Sequence, residues 1–196
     1  MTSTSALPLL LSVGLLGGAV LTSYVVVLGN VGGRFPLPSS PAPPSSSYWQ
    51  SPYWLSLPPS TAQGITLLQV AAAGGFLAWM AWLAASGLPQ RGLLSSPWWT
   101  TGLLFVFLLG SLAWPFAAHW MLSGDTSVPR AVAACVPLWA VAVAVLLLVA
   151  GTFEAHAPAH AVVGILLLGQ VCVLADGVGW AATALYRAAH PSADLR

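Results

Sequence analysis

Only five basic and four acidic side chains are available to solvate a chain of 196 residues, so 5% of the sequence is charged while 58% is hydrophobic. Soluble domains usually carry charge on roughly a quarter of their residues. A water-soluble fold of this size would leave most of its exterior as apolar surface, which soluble proteins confine to small patches. The sequence therefore predicts an all-α, polytopic membrane helical bundle whose solvent is lipid.

Five apolar stretches are long enough to span a bilayer as helices, at about 7–29, 63–86, 97–122, 129–152 and 158–188. Each approaches or exceeds the roughly 20 residues that a hydrocarbon core requires. The first exceeds a signal-peptide core and has no basic flank before it, so it reads as a retained helix. The whole chain reads as one transmembrane domain. Three of the later stretches open at Pro97, Pro129 and Pro158, which suits the first helical position, where a missing N–H would have had no partner. Pro115 and Pro137 fall inside helices; membrane helices tolerate this because neighbours can satisfy the freed carbonyls.

Between the first two stretches, over 30–62, the composition turns to proline and serine, in PLPSSPAPPSSSYWQSPYWLSLPP. That proline density predicts a long loop rather than a helix or central strand. Tyr48, Trp49, Tyr53 and Trp54 within it favour a headgroup interface or a docked lid.

Lysine is absent, which excludes Schiff-base chemistry. No basic cluster exists to neutralise phosphates, so nucleic acid is not an expected partner. With five spans, Arg34, Arg130, Arg187 and Arg196 share one side against Arg91 on the other; the positive-inside rule then places the first loop and the C-terminus in the cytoplasm. Composition does not identify an organelle. Cys135 and Cys172 read as small buried hydrophobes at depths differing by roughly 10 Å, too far for a bridge.

Asp176 is a formally charged residue deep inside an expected span, where ionisable groups are costly and commonly functional. At α-helical spacing it shares a face with Cys172, Gly179, Trp180 and Thr183, and that face is expected to look into the bundle. Counting from the helix ends puts Ser111 at a similar depth and makes its hydroxyl a candidate polar partner. Asp176 has three readings at this stage: a protonated packing contact, a ligand contact, or a group in proton or ion transfer.

The histidines do not form a metal site on this pattern. His156 and His160 are four apart, but Pro158 lies between them and Glu154 is the one nearby carboxylate, so a solvated loop is the expectation. Facing histidine ligands for haem are likewise missing. No phosphate loop, nucleophile elbow, HExxH or CxxC occurs. The chain is thus expected to be non-catalytic and to carry no cofactor.

Ten tryptophans are the unusual abundance. Trp98, Trp99 and Trp120 lie near helix ends and suit interfacial belts. Trp82, Trp114, Trp139 and Trp180 lie deeper and either line a cavity or fill gaps between small-residue helices. The order of Trp54, Pro58, Pro59, Gly75 and Trp82, together with the pair Trp114 and Pro115, resembles the translocator protein family, also called tryptophan-rich sensory proteins. The resemblance covers about the middle half of the chain. It departs from the family around Ser111, at Thr66 to Leu68, and in the closing stretch WAATAL. It implies a pocket roofed by the first loop that takes apolar ring systems such as sterols or porphyrins. On this reading the ligand-binding residues are Trp54, Trp82, Trp114, Asp176 and Trp180, with Ser111 as polar partner.

Three functions follow as expectations. The first is binding or transport of a hydrophobic small molecule. The second is a structural or accessory subunit, associating with copies or partners through the glycine and alanine faces of the first two helices. The third is a proton- or ion-coupled carrier using Asp176.

Overall fold

The computed structural model describes residues 13–20, 22–23, 57–122 and 127–190. The greater part of the expected first span and of the proline-rich loop, including Trp54, lies outside the described residues, as do Arg34 and Arg196. Every regular element among the described residues is helical.

Among the described residues, four helices are long and apolar enough to cross a membrane. We label them α1 (Pro59–Ser86), α2 (Pro97–Leu122), α3 (Val128–Glu154) and α4 (Ala159–Ala189). The shortest has 26 residues, or ~39 Å at an α-helical rise, against a hydrocarbon core of about 30 Å.

The expected ends need small corrections, each with a local cause. Helix α1 begins at Pro59 rather than residue 63, which shortens the loop assigned to 30–62. The carbonyl of Pro58 accepts from the N–H groups of Thr61 and Ala62 at 2.9 and 3.1 Å, so Pro59 takes the first helical position. Pro158 stands just outside α4 as its N-cap and accepts from Ala161 and Val162 in the same way. Pro115 and Pro137 remain within α2 and α3.

Helix α3 packs against both α2 and α4, while α1 packs mainly against the first part of α4. Glycines set the close approaches. Gly75 of α1 meets Gly164 of α4 backbone to backbone, and Gly110 of α2 lies where a Cβ would come within 3.0 Å of the Pro137 carbonyl oxygen of α3. In a bilayer, helices have no hydrophobic reason to associate, and close van der Waals contact of this kind is what would hold them together.

The interior divides into two clusters. One gathers Trp79, Leu104, Val145, Leu148 and Ile165, with Val13 joining from the short helical segment at 13–20. The other gathers Trp114, Met121, Cys135, Leu138 and Trp180 with alanines of α3 and α4. Large apolar side chains such as Leu67, Leu77, Val143, Leu166 and Leu174 face outward, as a bundle in hydrocarbon allows.

At one end, the turn between α1 and α2 is tied to the end of α3. The N–H of Leu93 donates to Glu154 Oε2 at 2.8 Å, and Leu94 is fully buried against Gly151. The Thr100 hydroxyl donates to the Leu94 carbonyl at 3.1 Å. Arg91 belongs to this end. Arg130 and Arg187 lie at the other, beside Ala131 and Ala188 of the second cluster, and the Arg130 guanidinium sits 5.0 Å from the centre of the Trp120 ring. Trp98, Trp99 and Trp120 are exposed near helix ends, the positions expected of interfacial tryptophans.

Candidate functional site

Helix α4 is not α-helical throughout. Residues Gln170–Trp180 form a π-helix, with α-helix before and after. Such turns close i→i+5 hydrogen bonds and are rare outside short bulges, which are frequent at functional sites. Asp176 lies within this segment.

The wider turn corrects the face expected around Asp176. Cys172 and Trp180 are buried as expected, but Gly179 is exposed and Asp176 and Thr183 are only half-buried. Gly177, five residues after Cys172, is the buried residue beside α3 instead. Its carbonyl oxygen accepts from the Trp139 indole N–H at 3.1 Å. The face expectation rested on spacings of three, four and seven; those of three and seven hold for a 3.6-residue turn and are lost in a wider one.

Trp114 and Trp180 are brought together edge to face, with ring centroids 5.4 Å apart and planes at 85°. This is a favoured arrangement for rings carrying a quadrupole. Ser111 precedes Trp114 by about one turn and Asp176 precedes Trp180 similarly, on helices that run in the same direction. The expected match in depth is therefore kept. Ser111 and Asp176 are both half-buried residues, and no hydrogen bond joins their side chains.

Trp82 is placed elsewhere. It packs against the first cluster, with its ring 6.4 Å from that of Trp79, and shares no cluster with Trp114 and Trp180. Cys135 and Cys172 are both buried free thiols; the Cys135 thiol lies 3.9 Å from the Ala181 carbonyl oxygen.

Two further tryptophans have polar roles that sequence reasoning missed. The Trp79 indole donates to the Thr152 hydroxyl at 2.8 Å, and that hydroxyl donates to the Leu148 carbonyl at 2.7 Å. Trp139 holds the carbonyl of Gly177. The π-helix did leave a trace in the sequence: Asp176-Gly177 followed by Gly179 inside an apolar run is a signal of irregular backbone.

His156 and His160 are exposed. His156 has a φ of 52° in the connection between α3 and α4, and its Nδ1 lies 3.0 Å from the Glu154 carbonyl oxygen. Among the described residues no three His, Cys, Asp or Glu side chains gather as a metal site would require.

No protein-family model, curated protein or solved structure matches this chain.

Proposed function

We propose that this chain is a non-catalytic, multi-pass membrane protein that binds or transports a hydrophobic small molecule. Trp114 and Trp180 form the apolar wall of its site and Asp176 the polar anchor. The observation that carries this reading is the edge-to-face tryptophan pair one turn from Asp176, a half-buried acidic residue on a π-helical segment. Ligand sites combine aromatic walls with a few placed polar groups. A sterol- or porphyrin-like molecule matches that chemistry, and the resemblance to the translocator protein family points the same way. On this proposal the chain has five spans, the first at about 7–29, with Trp54 in the loop over the site. The ends bearing Arg130 and Arg187 face the cytoplasm.

The test is tryptophan emission from purified protein in detergent, titrated with a panel of sterols and free-base porphyrins. Saturable quenching that weakens on Trp114→Phe or Asp176→Asn is expected. No saturable quenching with any of the panel removes the reading.

One observation favours the alternative of a subunit in a larger complex. Gly64 and Gly74 lie on exposed positions of α1 with nothing within 4 Å of an added Cβ, which leaves room for another helix. Co-purification of a partner after mild extraction is then expected, whereas a monodisperse monomer counts against it.

A further inference from the structure

In an uninterrupted α-helix, Asp176 would lie four residues from both Cys172 and Trp180 and share their buried seam. The π-helix changes which residue meets α3. Gly177 takes the seam: it is buried, its carbonyl accepts from the Trp139 indole, and a Cβ there would stand 3.2 Å from Ala142 Cβ. Asp176, the residue before it, is half-buried.

Gly179 is more telling because it is exposed. The close contact a Cβ would make there is with the Leu174 carbonyl oxygen, five residues earlier, at 3.2 Å. That crowding comes from the turn itself and not from a neighbouring helix. Alanine at this position would be favoured in an α-helix but crowded in the observed turn.

We propose that Gly177, Gly179 and Trp139 are positioning residues that hold the π-helix, give the seam to Gly177, and set the placement of the Asp176 side chain one turn from Trp180 of the Trp114–Trp180 pair. Its use as an anchor rests on the function proposed above. A carboxylate oxygen accepts hydrogen bonds, so the ligand class narrows to apolar ring systems bearing a hydroxyl, pyrrole N–H or ammonium donor.

The test uses the full chain with Cys135→Ala and Cys172→Ala, carrying Asp176→Cys as a reporter labelled by N-ethylmaleimide in detergent. Adding Gly179→Ala should slow labelling by up to about fivefold, the change in equilibrium constant corresponding to alanine's helical preference over glycine. Trp139→Phe should act in the same direction through loss of the bond to Gly177. Unchanged labelling in both variants overturns the positioning role. With Asp176 intact, Gly179→Ala should also weaken saturable quenching by a free-base porphyrin. If labelling slows while porphyrin affinity is unchanged, the link between placement and binding is overturned. If the unsubstituted chain shows no quenching while labelling still slows, the positioning role stands and the proposed function fails.

Discussion

Gly75 and Gly164 touch through their backbones where α1 crosses α4: a Cβ added to Gly75 would stand 2.7 Å from the Gly164 carbonyl oxygen and 2.9 Å from its Cα. Backbone cannot move aside as the end of a flexible side chain can. Both helices are therefore held at a separation that only glycine permits.

Adjacent glycines should consequently respond in opposite ways. Gly75→Ala overpacks the crossing and is expected to destabilise by about 1–3 kcal/mol. Gly74→Ala meets open space and should be neutral or stabilise slightly through helix propensity, by up to about 1 kcal/mol. Thermal unfolding in detergent, followed by circular dichroism, compares the two. Equal loss in both variants would refute the crossing as described.

The buried Trp79–Thr152 hydrogen bond ties α1 to α3. Thr152→Val leaves the indole N–H without its partner, and Trp79→Phe removes the donor. Interhelical hydrogen bonds in membrane proteins couple by about 0.6 kcal/mol on average, rising to roughly 1.7. A double-mutant cycle on unfolding free energy should return a coupling in that range. A coupling indistinguishable from zero would show that the bond adds nothing to stability.

Gly92 has φ 80° and ψ −174°, a region essentially restricted to glycine, and a Cβ there would lie 2.9 Å from Glu154 Cβ. Gly92→Ala should cost about 1–3 kcal/mol from backbone strain. Glu154→Ala removes the Oε2 atom that the added Cβ would meet at 2.6 Å, and with it the bond to Leu93, while leaving the Cβ contact, so the double variant should lose less than the sum of the singles. Strict additivity in thermal unfolding would contradict this contact.

Membrane integration is checked directly by fractionation. The chain should remain in the pellet after alkaline carbonate extraction of membranes and should require detergent for release. A folded, detergent-free species in aqueous buffer would contradict the reading of Leu67, Leu77 and Val143 as lipid-facing.

Much of the architecture could be read in advance because hydrophobic length and proline placement act locally. Helix α2 has the expected limits, 97–122, while α1, α3 and α4 differ by a few residues where proline carbonyls or end hydrogen bonds shift a boundary. The site was less legible. Asp176 was conspicuous as a carboxyl within an apolar run, and Trp114 and Trp180 as deep tryptophans. Their meeting depends on how α2 and α4 approach, which spacing along one helix does not contain.

The amino-acid sequence alone determined the helical class of the described residues, that four of their helices are long and apolar enough to cross a membrane, and the approximate limits of those helices, because hydrophobic length has the same consequence in any arrangement. Tertiary structure decided which glycines are contacts and which are open, why Trp82 parts from Trp114 and Trp180, and that Gly177 is buried against α3. Those outcomes depend on distances between helices and on a turn wider than the α-helical one.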